Sequence, residues 1–153
     1  MAGAAFAASA VLLCLATGVA GACTDLAAAY AKERQQFGRP IATFQAVKHH
    51  CANMFVAAEK ARSLIWEAAR IGGSTGDDRS YAAAMAAASA VPAADLTANL
   101  DIQVHGGIGF TWEHDLQLFY KRATANGILF GDATFHRERI AEKVIDEGVE
   151  AAS

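Results

Sequence analysis

The stretch TFQAVKHHCANMFVAAEKARSLIWEAARIGG, residues 43–73, decides the fold class of this chain. Its apolar residues recur at spacings of three and four, which places them on one face of an α-helix; they are Phe44, Val47, Cys51, Met54, Phe55, Ala58, Leu64, Ile65 and Ala68. We predict that Thr43 is the N-cap of this helix and that Gly72 and Gly73 end it. The pattern favours a helical protein whose core this amphipathic stripe faces.

The run before this helix is strongly apolar, and its first 23 residues carry no charge. We interpret residues 2 to 33, ending near Arg34, as a bundle helix that is apolar all round because other helices surround it. Two alternatives stay open, a secretory or lipoprotein signal ending at Cys23 and a membrane span. Both fit less well, because nothing basic precedes Lys32 and much of the run is Ala and Gly, which bring little hydrophobic free energy.

Three further helices are predicted after residue 73. They run from about Ser80 to His105, from about Glu113 to Asn126, and onward from the N-cap Asp132 with Phe135, Ile140, Val144 and Ile145 on the inner face. Pro92 removes one hydrogen bond inside the first of them, so we expect a bend just before residue 92. No alternating strand pattern is present. Residues 1–153 therefore predict a single all-α domain, an antiparallel bundle of about four to five helices with short connections.

Composition excludes several functional classes. Apolar residues make up 54% of the chain and charged residues 19%, which excludes a disordered chain. The net charge of −3 gives no electrostatic reason to bind nucleic acid or an anionic membrane. The three cysteines form no CxxC pair and the histidines do not cluster, so we predict no metal site and a cytoplasmic location.

A glycine-rich loop interrupts the helical pattern at QVHGGIGFTWEHD, residues 103–115. It is not a dinucleotide-binding fingerprint, because the third glycine of GxGxxG is missing and a helix rather than a strand precedes it. One glycine with positive φ is enough to end a helix. The surplus among Gly106, Gly107 and Gly109 predicts that something approaches this backbone closely.

Two motifs resemble the C-terminal helical domain of the acyl-CoA dehydrogenases. The segment AAAYAKERQQFGRPIATFQAVKHHCANM resembles that family's R-x-x-F-G followed by Gln, and QVHGGIGFTWEHDLQLFYKRA resembles its Q-x-x-G-G-x-G-[YF]. The likeness runs from about residue 8 to 147. Family members are flavoproteins with an N-terminal helical domain, a middle β domain and this C-terminal bundle. The resemblance implies that the present chain holds only the last of the three.

The resemblance also implies contacts with flavin adenine dinucleotide (FAD), because the family's bundle lies against the FAD of a neighbouring subunit. Arg34 would pair with the pyrophosphate, a role that suits its planar cationic fork, with Phe37 packed beside it. Gln45 would hydrogen-bond the cofactor. The adenosine end would be cradled by Gln103 and by the backbone of Val104, His105, Gly106 and Gly107, where absent side chains let the backbone approach.

The family's proton-abstracting Glu is missing from both positions that it occupies in family members. One position corresponds to Phe130, which precedes Gly131 of the substrate-binding turn, and the other corresponds to Ala8. Neither Phe nor Ala accepts a proton. The resemblance therefore implies the base-lacking subunit of a heteromeric, sterol-type acyl-CoA dehydrogenase, inactive alone, whose homologous partner carries the Glu.

The implied activity is α,β-dehydrogenation of an acyl-CoA thioester by an FAD shared with that partner. An electron-transfer flavoprotein is a further implied partner. A different class of function also fits the residues, a non-catalytic oligomerisation or structural bundle whose helices only pair with another subunit.

Overall fold

The computed structural model is an antiparallel bundle of five α-helices, which confirms the predicted all-α fold. The helices are α1 (Ala2–Glu33), α2 (Gln45–Ile71), α3 (Asp77–His105), α4 (Leu116–Leu129) and α5 (Ala133–Ala152). The structure describes the backbone of residues 2–72, 77–129 and 131–152, and the side chains of residues 13–72, 78–129 and 131–145.

Helices α1 and α3 share the largest interface of the bundle, and alanine dominates it. We call this interface the alanine seam; its members are at most 1% exposed and are Ala16, Ala20, Ala27 and Ala31 of α1 with Ala86, Ala90, Ala94 and Ala98 of α3. Successive members are four residues apart, or seven between Ala20 and Ala27, so they form one ridge on each helix. Because the side chains are so small, the two helix backbones can lie close together along the seam.

The apolar first helix serves as a core helix. The segment Leu13–Glu33 is long and apolar enough to cross a membrane by length and composition alone, a test that core helices also pass. Within it Ala16, Ala20, Cys23 and Ala27 are completely buried against the bundle. This burial supports the interpretation of α1 as a bundle helix.

Three predicted helix starts, those of α2, α4 and α3, differ from the observed ones. Phe44, not Thr43, is the N-cap of α2, because the Thr43 hydroxyl instead donates to the Pro40 carbonyl at 2.7 Å in a 3-10 turn over Ile41–Thr43. Helix α4 begins at Leu116 rather than Glu113. Its start is displaced because the glycine-rich loop continues as a 3-10 segment, Gly106–Phe110, followed by a turn.

Helix α3 starts before the predicted Ser80 and continues without interruption through Pro92. The bend before that proline stays a prediction. At α5 the predicted cap is confirmed, since the Phe135 N–H donates to Asp132 Oδ1 at 2.8 Å.

The predicted inner face of α5 is largely wrong. Phe135, Val144 and Ile145 are 48%, 53% and 63% exposed, and Ile140 is half-buried. The helix is rotated so that His136 is buried on the bundle side, at helical spacing from Ile140. Hydrophobicity alone misplaced the stripe because a histidine occupies the inner face.

A short hairpin joins α1 to α2. Strands β1 (Gln35–Gln36) and β2 (Arg39–Pro40) pair antiparallel, with Gln36 opposite Arg39. The two turn residues, Phe37 and Gly38, have φ of 55° and 76°, as a two-residue type I′ turn requires. Strands of two residues are too short for an alternating pattern to reveal them.

Candidate functional site

The end of α1 and the end of α3 enclose a groove of about 440 Å³, which we call the α1–α3 groove. One side is formed by Tyr30, Arg34, Gln36 and Ile41, and the other by Val104, His105, Gly106, Gly107 and Ile108. Five of the residues predicted to contact a cofactor, Arg34 and Val104 to Gly107, therefore lie together although about seventy positions separate them in sequence.

Arg34 has a fixed backbone and an exposed side chain. Its N–H donates to the Tyr30 carbonyl at 2.8 Å, and its own carbonyl accepts from the Ile41 N–H at 2.8 Å. Among the described residues its guanidinium forms no ion pair. A cation held at its base and unpaired at its tip is suited to bind an anion in the groove.

The three glycines of the loop serve different purposes. Gly106, with φ of +66°, ends α3 as predicted. A Cβ at Gly109 would lie 2.8 Å from the Ile102 carbonyl oxygen, so at this glycine the close approach is made by the chain's own α3. A Cβ at Gly106 or Gly107 would meet nothing within 4 Å. These two positions face open space, and they line the groove with bare backbone.

His105 lies on the buried side of the groove and is 6% exposed. Its ring stacks on Tyr30 with centroids 4.1 Å apart, and His114 meets it edge-on at 5.0 Å. Nδ1 lies 2.9 Å from the Asp101 carbonyl oxygen, which can only accept, so Nδ1 carries the hydrogen. Burial lowers the pKa of His105, so the ring is neutral near pH 7 and Nε2 keeps its lone pair.

Asp101 lies behind His105 and is completely buried. Its Oδ1 is 3.0 Å from His105 Nδ1, yet among the described residues neither carboxyl oxygen has a hydrogen bond of standard geometry. Burial raises the pKa of Asp101 to about 7, an effect that the nearby Cys23 thiol opposes.

Cysteine and metal chemistry find no support in the described part of the chain. Burial, with a smaller contribution from Asp101, raises the pKa of the Cys23 thiol to about 12, so the thiol stays protonated near neutral pH. Within the described residues no group of three or more His, Cys, Asp and Glu side chains is placed to hold a metal ion.

Three of the predicted cofactor residues do not line the groove. Phe37 is 90% exposed at the tip of the hairpin, where its ring meets Phe44 edge-on at 6.0 Å. Gln45 is exposed as the first residue of α2, and Gln103 is exposed on the last turn of α3.

Sequence reasoning missed Tyr30, Gln36, Ile41 and Ile108 as groove residues. A signal for Tyr30 was present, because it precedes Arg34 by four residues and therefore lies on the same face at the end of α1. Gln36 and Ile41 depend on the hairpin, which sequence did not predict.

The two positions predicted to lack a base fall outside the described side chains. Phe130 lies outside the described residues, and Ala8 lies within α1 where side chains are not described. The adjacent Gly131 has φ of +92°, and a Cβ there would overlap the Phe135 ring. This turn therefore requires glycine, which agrees with a tight turn before α5.

Comparison with known proteins assigns the chain to a family. The family described as acyl-CoA dehydrogenase, C-terminal domain, matches residues 2–145. This chain belongs to the acyl-CoA dehydrogenase family. Members of the family are FAD-dependent oxidoreductases, and the matching domain is the helical one that contacts the flavin.

Three relatives illustrate the likeness. The acyl-CoA dehydrogenase FadE34 of Mycobacterium tuberculosis is 50% identical over 125 residues, 81% of this chain and 18% of that protein. The Tcur3481–Tcur3483 steroid ACAD superposes with a TM-score of 0.86 at 30% identity, over 97% of this chain and 40% of that one. The ChsE4–ChsE5 complex of M. tuberculosis gives a TM-score of 0.86 at 26% identity, over 92% of this chain and 38% of that one.

The chain thus spans between 18% and 40% of the length of these relatives. The match covers one domain of a larger architecture.

Proposed function

We propose that this chain is the C-terminal module of an FAD-dependent acyl-CoA dehydrogenase and that it contributes to a flavin site completed by a partner subunit. The complex would carry out α,β-dehydrogenation of an acyl-CoA thioester. The partner is a homologous subunit that carries the catalytic Glu, and an electron-transfer flavoprotein receives the electrons. The observation that carries the proposal is the α1–α3 groove, which joins the cation of Arg34 to the bare backbone of the loop.

The residues of the groove fit one end of a dinucleotide. Arg34 offers an unpaired guanidinium to a pyrophosphate, and Gly106 and Gly107 leave open space where a side chain would otherwise stand. Nε2 of the neutral His105 adds a hydrogen-bond acceptor. Phe37, Gln45 and Gln103 lie outside this groove, and their contacts with the cofactor stay predictions.

In this proposal the FAD supplies the hydride acceptor, and the present chain binds and orients it. Arg34 neutralises charge on the pyrophosphate, while the backbone of Val104 to Gly107 packs against the adenosine end. Gly131 keeps the turn before α5 narrow beside the acyl thioester. The chain removes no proton itself.

The two carboxylates that follow the turn, Asp132 and Glu138, do not replace the missing base. Asp132 is occupied as the cap of α5, accepting from the Phe135 N–H at 2.8 Å. Glu138 lies on an exposed position of α5, beyond the turn. With Phe130 and Ala8 at the two positions where the family has its Glu, the partner subunit must supply the base.

A second function, pure oligomerisation, is favoured by one observation. Apolar side chains on α4 and α5 are exposed, namely Ile128, Leu129, Phe135, Val144 and Ile145. Exposed apolar surface of this kind marks association with other chains. Such a bundle would assemble but would retain no flavin.

The two functions are separated by purifying the chain alone and after co-expression with a base-carrying acyl-CoA dehydrogenase subunit. We expect the isolated chain to be colourless and helical, and the assembled complex to show the visible absorbance of bound flavin. An assembled complex without flavin would support the oligomerisation function. A stoichiometric flavin on the isolated chain would contradict the shared site.

The missing base is tested by Phe130→Glu in the assembled complex. If only the base is absent, the variant should add dehydrogenase activity to a complex whose partner Glu has been changed to Gln. Phe130→Gln is the matched control, because it has the same size without a proton-accepting carboxylate. Acyl-CoA dehydrogenation by the unmodified chain alone would show that the base was assigned wrongly.

A further inference from the structure

The proposed function assigns no role to the buried carboxyl group of Asp101. It is completely buried one helical turn before the end of α3, and its two oxygens lack hydrogen bonds of standard geometry. Burying a carboxyl group without such bonds costs free energy of folding unless an interaction with a neighbouring group offsets it. The polar neighbours that meet it are His105 and the Cys23 thiol.

The geometry places Asp101 against one particular atom of His105. Its main-chain carbonyl oxygen lies 2.9 Å from His105 Nδ1, and its Oδ1 lies 3.0 Å from the same nitrogen. Both oxygens attract the hydrogen on Nδ1. The Tyr30 ring stacks on the imidazole, with centroids 4.1 Å apart and an interplanar angle of 24°, and so restricts rotation of the His105 ring.

We propose that Asp101 is a positioning residue that holds His105 in the Nδ1–H tautomer and so presents Nε2 to the α1–α3 groove as a hydrogen-bond acceptor. The matching ligand group is a donor, a hydroxyl or amino group such as those of the adenosine half of a dinucleotide. This inference rests on the proposed function for its ligand, although the tautomer itself is a property of the free chain. In the opposite tautomer Nε2 would carry the hydrogen, so two hydrogen-bond donors, Nε2–H and the ligand group, would face each other.

The carboxylate strengthens this preference when it is ionised, which occurs above its pKa of about 7. The other titratable groups that face the pair are Cys23 and Tyr30 of α1, Cys51 of α2 and His114 of the loop before α4. Protonated Asp101 would instead offer its own hydrogen to Nδ1 and weaken the preference.

The first test is nuclear magnetic resonance of the full chain labelled with nitrogen-15 in histidine, without partner or flavin. Long-range proton–nitrogen correlations should show His105 mainly as the Nδ1–H tautomer above pH 7. In Asp101→Asn a substantial share should convert to Nε2–H. Asp95→Asn removes the same charge from an exposed position of the same helix and should leave the tautomer unchanged.

The second test measures FAD retention by the complex of this chain with a base-carrying subunit. We expect Asp101→Asn to weaken retention roughly three- to tenfold, the size expected for one lost hydrogen bond, while Asp95→Asn has no effect. The loss should be larger well above pH 7 than well below it, which a purely structural role of Asp101 would not produce.

Each outcome decides the matter. Loss of the tautomer in Asp101→Asn, with helicity retained, supports the inference; an unchanged tautomer overturns it, because the main-chain carbonyl would then suffice. If Asp101→Asn does not fold, the pH dependence of the wild-type spectrum decides. A share of Nδ1–H that falls as Asp101 gains its proton below pH 7 supports the inference, and a share that stays constant, or a dominant Nε2–H form, overturns it. A wild-type complex that retains no FAD would refute the proposed function and its ligand, and the tautomer would still report on Asp101.

Discussion

The same two helices, α1 and α3, build both the alanine seam and the α1–α3 groove. Along the seam they touch through alanines that are at most 1% exposed. At their ends the helices are flanked by Arg34, Tyr30, Asp101 and His105, and a groove of about 440 Å³ opens. The alanines of the seam contribute methyl groups only, whereas the groove has the Arg34 guanidinium and a neutral imidazole, and a buried carboxyl group lies behind the imidazole.

The difference separates the surface that holds the fold from the surface that we propose as a ligand site. In the seam the alanines are at most 1% exposed, so in a close-packed interior an added side-chain atom has little room. At the groove the backbone is held by a few hydrogen bonds, and side chains have room to meet a ligand. A substitution should therefore affect stability at the seam and binding at the groove.

The largest expected effect lies at the seam. Ala20 is completely buried, so Ala20→Leu should lower the free energy of unfolding by about 3 kcal/mol or more through overpacking. Urea unfolding followed by circular dichroism measures this change. Ala29→Leu makes the same substitution at an exposed position of α1 and should change stability by less than about 0.5 kcal/mol. Equal effects of the two variants would show that the seam is not tightly packed.

A smaller contrast lies within the glycine loop. Gly109→Ala brings a Cβ to 2.8 Å from the Ile102 carbonyl oxygen and should destabilise the chain by about 1–3 kcal/mol. Gly107→Ala places its methyl group in open space and should leave stability nearly unchanged. It should instead weaken flavin retention by the assembled complex. The comparison would fail if Gly107→Ala destabilised the free chain as much as Gly109→Ala.

The smallest expected effect is the dependence of the free energy of unfolding on pH that Asp101 contributes. Its pKa is raised by burial from 3.8 to about 7, so the native state holds a proton that the unfolded state has released. Stability therefore falls as pH rises through this range, by about 1.4 kcal/mol per pH unit at most. The lowered pKa of His105 has the opposite effect on stability, because below pH 6.5 the unfolded state binds a proton that the native ring does not. The effect of Asp101 is therefore measured without that of His105 from pH 6.5 upward through about 7.

Unfolding measurements across that window test the assignment. Wild type should lose stability relative to Asp101→Asn as pH rises, because only wild type must ionise a buried group. A constant difference between the two proteins would contradict the buried, proton-holding Asp101.

The helical fold follows from sequence, because apolar residues at helical spacing predict helices. The alanine seam was not predicted, since α1 is apolar all round and its pattern marks no single buried face. The limits of α1, the cap at Asp132 and the helix end at Gly106 were all predicted. The α5 face was misplaced because His136 is buried while Phe135, Val144 and Ile145 are not. Apolar pattern cannot distinguish a surface that faces the core from one that faces another chain.

The groove was predictable only in part. Arg34 and the Val104–Gly107 loop came from motifs, and the fold brings them together. Tyr30 and Asp101 escaped notice, because their partners are set by how α1 packs on α3 rather than by any local pattern. The hairpin that carries Phe37 was also missed, since its strands are two residues long.

The central claim is that the groove is half of a flavin site, and Arg34 tests it most directly. FAD retention should be measured in the assembled complex for Arg34→Ala and for Arg39→Ala, an exposed arginine on β2 that lies over the Phe44 ring instead of in the groove. Loss of a charge-assisted bond to the pyrophosphate costs on the order of 1.5–3 kcal/mol, so Arg34→Ala should weaken retention by about tenfold or more. Arg39→Ala should leave retention unchanged. Wild-type flavin occupancy in the Arg34→Ala complex, with both variants fully helical, would contradict the account.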